Sequence, residues 1–306
     1  MPFGTVTLND GKKIPAIAFG TGSIYKHTDV TRLVNQALET GFDHIDTAAF
    51  YETEEYVGNV IRESGLARSD LYITTKFGLG EVRDEIQKSL KNLGLKYVDL
   101  YLIHQPLFVP DIDAVWKEFE ALKKDGLAKS IGVSNFTLPQ LQSLVKSALV
   151  WPAVNQIELH PYNYAARKSL LEWSAQHGIV TEAYSSLSSI TKFPGGPVDV
   201  PVAAAAARLG ISPTQVLLSW VRAKGAVIVT TSSSKERLEE YLAVADLPPL
   251  SDAEIAAIEA AGALGPPGPL TRISARGRRL GLHAVFAAAL FLFLIRGDLR
   301  LAACRM

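Results

Sequence analysis

One cysteine, Cys304, and two methionines are all the sulfur this 306-residue chain contains. A lone thiol excludes an internal disulfide framework and a cysteine-built metal site, and a reducing, cytoplasmic setting is the simplest one for it. Surplus charge is missing too, since 31 lysines and arginines face 31 acids. Nothing in that balance would neutralise a phosphate backbone, so a nucleic-acid partner is disfavoured. The six histidines are scattered without an HxxxH or HExxH pair, so no metal is expected. The start, MPFGTVTLND, has no basic stretch followed by an apolar run, and does not read as a secretory signal. Apolar residues, by contrast, are plentiful. At 48% hydrophobic and zero net charge the chain is not disordered in general, and it is long enough to bury a large core.

The neutral total hides an uneven distribution. Residues 271–306 hold seven arginines and one acid, Asp298, leaving the rest of the chain acidic by the same margin. Ahead of them, Gly262-Ala-Leu-Gly-Pro-Pro-Gly-Pro269 reads as a linker that cannot continue a helix. A basic cluster follows, and then Leu280–Ile295, in which only Gly281 and His283 are not strongly apolar. As a helix these sixteen residues would span ~24 Å, short of a ~30 Å hydrocarbon core. They read as a buried or partner-packed helix, as a short tail anchor held at the cytoplasmic face by the upstream arginines, or as an extension without a fixed fold. The expected division is a body over 1–262 and a linker, basic cluster and apolar tail over 263–306.

Within the body, β-branched and aromatic runs alternate with amphipathic stretches. Strands are expected at Ala16–Gly20, His44–Ala48, Tyr72–Phe77, Val98–His104, Ser130–Asn135, Val154–His160, Val180–Ser185 and Val227–Thr231. Helices are expected at Asp29–Thr40, Glu54–Ser64, Glu81–Leu93 and Asp113–Lys124. Thr28 is the expected N-cap of the first, Asp29 its first-turn acid, and Gly41 its closing residue. Eight strands interleaved with helices over about 250 residues are the signature of an α/β, (β/α)8 TIM barrel. A doubly wound Rossmann sheet needs a phosphate loop at its first βα turn, and neither Gly20-Thr-Gly22 nor Gly78-Leu-Gly80 supplies one. Residues 5–14, turning at Asn9-Asp10-Gly11, read as an N-terminal β-hairpin that could plug one end of the barrel.

Reactive residues then fall in phase with the strands. Asp46, Lys76 and His104 stand at the ends of the second, third and fourth, with Tyr51 just beyond the second. In a barrel these ends converge on the catalytic face. A buried Asp46–Lys76 pair beside Tyr51 is expected to pull the phenol below its reference pKa of ~10 toward working pH. Such a tyrosine can protonate a developing alkoxide, with His104 orienting the same oxygen. No activated serine or cysteine accompanies them, so acyl transfer is unsupported. Tyr72-Ile-Thr-Thr-Lys76 matches the Tyr-x-x-x-Lys spacing of short-chain dehydrogenases. That pair needs a helix, however, and these residues read as a strand, where four residues span ~13 Å.

Asp46-Thr-Ala48 with Tyr51, Thr75-Lys76, Leu102-Ile-His104-Gln-Pro106, Ile131-Gly-Val-Ser-Asn-Phe136 and Asn155-Gln156 together resemble the aldo-keto reductase superfamily over roughly residues 5–262. Val229-Thr-Thr-Ser-Ser-Ser234 with Lys235 and Arg237 is similar to the fungal branch of conjugated polyketone and ketopantoyl lactone reductases. The resemblance implies an NADPH-dependent carbonyl reductase in which Asp46, Tyr51, Lys76 and His104 form a catalytic tetrad, Tyr51 being the proton donor. It implies that Ser134, Asn135 and Gln156 hold the nicotinamide carboxamide and that Tyr184 stacks on the ring. Thr21 would lie near the ring, and Ser185 and Leu187 along the pyrophosphate. Ser232 and Arg237 would meet the 2′-phosphate. The family's Pro-Lys-Ser is Thr230-Thr231-Ser232 here and its usual asparagine is Tyr241, so NADPH is favoured on Arg237 while NADH stays open. Tyr25, Phe77, Phe108 and Trp116 are expected to wall an apolar site for a small carbonyl substrate beside His104. As alternatives, Asn135 could cap the following helix and Tyr184 could be rim packing. The rival functions are a non-enzymatic nucleotide-binding barrel serving a membrane partner through residues 280–295, and, more weakly, an isomerase or lyase.

Overall fold

A computed structural model describes residues 3–269, so the basic cluster and the 280–295 segment lie outside the described residues. Strands β1 (Thr5–Thr7) and β2 (Lys13–Pro15) form the expected antiparallel hairpin, with Thr7 opposite Lys13. Gly11, at φ +79°, takes the left-handed position its turn demands. Leu8 and Ile14 bury themselves against Tyr72, Leu100, Val154 and Val227, which lie at or near the starts of their strands. The hairpin therefore plugs the N-terminal end of a barrel.

That barrel is closed and fully parallel: β3 (Ile17–Gly20), β4 (His44–Asp46), β5 (Tyr72–Phe77), β6 (Val98–Ile103), β7 (Ala128–Ser134), β8 (Val154–Glu158), β9 (Val180–Tyr184) and β10 (Val227–Thr230), which pairs back with β3. All eight expected strands are present, with ends within two residues of expectation. Around them run α1 (Thr31–Thr40), α2 (Glu54–Glu63), α3 (Val82–Leu93), α4 (Ile112–Lys124), α5 (Leu138–Ser147) and α6 (Pro161–Gln176). The chain continues through α7 (Ser188–Thr191), α8 (Asp199–Leu209), α9 (Pro213–Ala223), α10 (Lys235–Leu242) and α11 (Asp252–Ala263).

Strand alternation divides the core in two. On β5, Ile73 and Phe77 face the helices and join one large apolar cluster, whereas Tyr72, Thr74 and Lys76 face the barrel interior. Gly132 of β7 leaves room on the inside, since a Cβ there would sit 2.7 Å from the Val154 carbonyl oxygen and 2.8 Å from Leu102.

Two local expectations are corrected. Thr28 does not cap α1: its hydroxyl donates to the Tyr25 carbonyl at 2.7 Å and closes a preceding turn, while Asp29 Oδ1 accepts from the Thr31 amide at 2.8 Å just ahead of the helix. Gly41 does close the helix, in the left-handed region, donating to the Ala37 and Leu38 carbonyls. The second correction is Gly262, which belongs to α11 rather than to a linker, because its missing side chain allows close packing on Pro161 of α6. No helix among the described residues is long and apolar enough to cross a membrane.

Candidate active site

Asp46 closes β4, Lys76 lies one residue before the end of β5, and His104 immediately follows β6. Tyr51 arrives on a single 3-10 turn, Ala49–Tyr51, whose last amide donates to the Ala48 carbonyl at 3.0 Å. Lys76 is fully buried. Its ammonium donates to Asp46 Oδ1 at 2.6 Å and to the Thr47 carbonyl at 2.8 Å. It also stands 5.2 Å from the centre of the Tyr51 ring. The Tyr51 hydroxyl lies 3.5 Å from His104 Nε2, with the two rings edge to face. The four expected residues therefore meet at the C-terminal mouth.

The electrostatics differ from expectation in one respect. Burial pushes the Tyr51 phenol above its ordinary value, and this outweighs the pull of the Lys76 charge. The ion pair thus leaves Tyr51 holding its proton, because desolvating a phenolate costs more than one partly neutralised ammonium returns. Burial alone would depress Lys76, yet Asp46 and Tyr51 hold it above the ordinary lysine value. His104 is pushed down to about 3, by burial first and by Lys76 second, so its imidazole is neutral.

Beneath the tetrad lies a residue the sequence reading missed. Glu182 of β9 is fully buried, and Gln156 of β8 joins it to the tetrad: Gln156 Nε2 donates to Asp46 Oδ2 and to Glu182 Oε2, each at 2.9 Å. Burial, and then Asp46, push Glu182 up to about 8. The available signal was an acid within Val-Thr-Glu-Ala-Tyr, in phase with Tyr184 on the inward face.

The second group gathers beside this one. Asn135, at φ +63°, donates through Nδ2 to the His104 carbonyl at 3.1 Å and to Ser134 Oγ at 3.0 Å. Its Oδ1 accepts from the Tyr184 hydroxyl at 2.8 Å. Tyr184 is partly exposed and anchored by that bond, and Thr137, not Asn135, caps α5 through a capping box with Gln140. Ser134 Oγ donates to the Gln156 carbonyl at 2.9 Å. Ser185 has φ +58°, and Leu187 occupies the residue before α7. Thr21 is fully buried, its hydroxyl shared with Thr47 and Thr53. Ser232 Oγ accepts from the Ser234 amide at 3.1 Å, and Ser234 caps α10. Arg237 lies in the first turn of α10 with no side-chain hydrogen bond or ion pair among the described residues.

Of the expected substrate walls, Phe108 stands at the mouth, 6.4 Å from Phe50, which itself is 6.0 Å from His104. Phe50 was missed, although its place beside Tyr51 in the 3-10 turn put it there. Phe77 and Trp116 are corrected. Phe77 alternates with Lys76 and so points outward onto Phe119, while Trp116 of α4 is buried, stacked on Phe119 and bonded to the Val150 carbonyl. Tyr25 packs against the outer core and acts electrostatically on Tyr241 of α10. Among the described residues no cluster of metal-ligating side chains exists.

The aldo/keto reductase family model matches residues 3–194 and 199–263. The chain belongs to the aldo/keto reductase family. Its relatives include an NAD/NADP-dependent indole-3-acetaldehyde reductase of Schizosaccharomyces pombe, 38% identical over 76% of this chain and 86% of the relative. A methylglyoxal reductase of Salmonella typhimurium is 38% identical over 85% and 95%. Such relatives span fungi and bacteria, so they do not single out the polyketone-reductase branch. Among solved structures, a Bombyx mori aldo-keto reductase in complex with NADP superposes with a TM-score of 0.77, at 34% identity over 84% of this chain and 92% of that one. This aldo/keto reductase is thereby an NAD(P)H-dependent oxidoreductase acting on carbonyl groups.

The mouth offers groups of the kind such a cofactor needs. Both hydrogens of the Gln156 amide nitrogen are engaged, and Oε1, the remaining acceptor, takes no hydrogen bond among the described residues. An acceptor suits the amide end of a nicotinamide. The unengaged Arg237 guanidinium at a helix start suits a phosphate.

Proposed function

We propose that this chain is an NADPH-preferring reductase of small aldehydes and ketones, with Tyr51 as its proton donor. The observation that carries the reading is the Tyr51 hydroxyl at 3.5 Å from His104 Nε2, above the buried Lys76–Asp46 pair at the barrel mouth. A nicotinamide held there would supply the hydride for the carbonyl carbon, leaving the carbonyl oxygen to gain a proton from this chain. Tyr51, kept protonated by burial, gives its proton to that oxygen. Lys76 then faces the phenolate and stabilises it, and Asp46 keeps Lys76 charged where water cannot. Neutral His104 orients the carbonyl oxygen through Nε2. Gln156, Ser134 and Asn135 hold the carboxamide, and Tyr184, fixed by Asn135, presents its ring face. Ser185 and Leu187 follow the pyrophosphate, and Thr21 supports the ring side through the Thr47–Thr53 cluster. Arg237 and Ser232 at the start of α10 receive the 2′-phosphate, with Lys235 beside them. Phe50 and Phe108 form the apolar rim.

Two measurements test this. Tyr51→Phe should bind NADPH as the wild type does while losing about 10²- to 10⁴-fold in kcat for methylglyoxal reduction. Full turnover in that variant would sink the assignment. Arg237→Gln should weaken NADPH binding about tenfold or more and leave NADH nearly unchanged. Equal losses for both nucleotides would remove Arg237 as the phosphate reader.

A further inference from the structure

We infer that Glu182 is a positioning residue that sets the direction of the Gln156 amide and so builds the nicotinamide-carboxamide site; this rests on the reductase reading above. The geometry is a chain of four side chains across the barrel interior: Lys76 to Asp46 at 2.6 Å, Asp46 to Gln156 at 2.9 Å, and Gln156 to Glu182 at 2.9 Å. A glutamine amide is symmetric in shape and not in chemistry, one end donating twice and the other only accepting. Asp46 takes one amide hydrogen of Gln156. The other points into the barrel, where Glu182 Oε2 is its acceptor.

Removing Glu182 would leave that hydrogen buried without a partner, and the amide would turn to recover one. With Glu182 in place, Nε2 is held inward and Oε1 is the end left for a ligand. Glu182 is fully buried and its Oε1 has no partner, so its engagement is with Gln156 and, through space, with Asp46 and Lys76. Tyr72 at the barrel floor would feel its charge only once Glu182 is ionised. Holding the proton suits this role, because an uncharged acid still accepts from Gln156 without adding a second carboxylate charge against the single ammonium of Lys76.

The test compares the purified wild type with Glu182→Leu and Glu182→Gln. Each is titrated with NADPH and with adenosine 2′,5′-bisphosphate, which keeps the 2′-phosphate and lacks the nicotinamide. Glu182→Leu should lose about tenfold in NADPH affinity, the loss of one well-placed hydrogen bond, and bind the bisphosphate unchanged. Glu182→Gln, whose side-chain oxygen can still accept from Gln156, should stay within about twofold of wild type for both. Unchanged NADPH affinity in Glu182→Leu would overturn the inference. So would an equal loss of both ligands, which would mark Glu182 as merely structural. A wild type that binds neither nucleotide would overturn the reductase reading itself, and the inference with it.

Discussion

At the scale of single residues, Lys76 and Asp46 are held against each other at 2.6 Å where water does not reach either charge. Both are buried to within a few per cent, so removing one strands the other. Asp46→Leu alone or Lys76→Met alone should each cost about 3–5 kcal/mol in denaturant unfolding, since an unpaired buried charge is left behind. The double variant Asp46→Leu/Lys76→Met should be less destabilised than the sum of the two. Simple additivity would show that the pair is not coupled as its 2.6 Å contact implies. Phe77 shows how one position of phase decides a role. Its neighbour Lys76 faces the interior, so Phe77 packs on Phe119 outside the barrel. Phe77→Ala should cost about 3–5 kcal/mol of stability and leave KM for the carbonyl unchanged. Phe50→Ala, at the mouth, should do the reverse. A KM effect from Phe77→Ala would put the ring back beside the substrate.

Among the elements, the strands were the most legible. Their β-branched cores, turns and spacing put all eight in place, because a parallel strand covered on both faces reads as a short apolar run. Helix starts were less so. Thr28 had the chemistry of a cap, but the preceding turn used its hydroxyl first, and a local competition of that kind does not show in periodicity. Close approaches were hidden for the same reason. Gly132 is inconspicuous in Ile131-Gly-Val133, yet the barrel interior admits no side chain there. Gly132→Ala should lower the thermal midpoint measurably, by forcing β7 away from the Val154 carbonyl, whereas Gly210→Ala on the surface meets no neighbour and faces only its left-handed backbone at φ +67°. A midpoint loss from Gly132→Ala no larger than that from Gly210→Ala would contradict the packing.

For the whole molecule, buried titratable groups set how stability follows pH. His44 and His104 are each held near a pKa of about 3 by burial, against an ordinary 6.5. The unfolded chain therefore takes up protons that the fold refuses. Their contribution is complete above pH 6.5 and is lost as pH falls toward 3. Glu182, raised from 4.5 to about 8, works in the opposite sense: the unfolded chain releases its proton first, so stability is lost as pH rises from 4.5 to 8. In thermal unfolding across pH, His44→Gln should flatten the acid limb, and Glu182→Gln should flatten the neutral-to-alkaline one. An unchanged slope in either variant would show that the group does not titrate as its burial demands. The expectations for residues 280–295 lie outside the described residues, and with them goes the observation that motivated a non-enzymatic membrane-partner role.

What the sequence by itself determined is what periodicity and spacing carry: eight strands, a hairpin plug, and Asp46, Lys76 and His104 brought to one face at intervals of about one βα unit, with Tyr51 just beyond the first of them. Residues at the ends of other strands, such as Asn135 and Tyr184, were named by resemblance, and only the fold showed their mutual hydrogen bond. The tertiary structure alone decided what depends on neighbours distant in the chain. Tyr51 keeps its proton because the loss of water outweighs one ammonium, a balance set by depth and not by residue type. Gln156 turns its nitrogen inward because Asp46, 110 positions away, and Glu182, 26 away, both stand there to accept. Alternation along a strand says which residues share a face, whereas burial and hydrogen-bond partners exist only once that face has closed into a barrel.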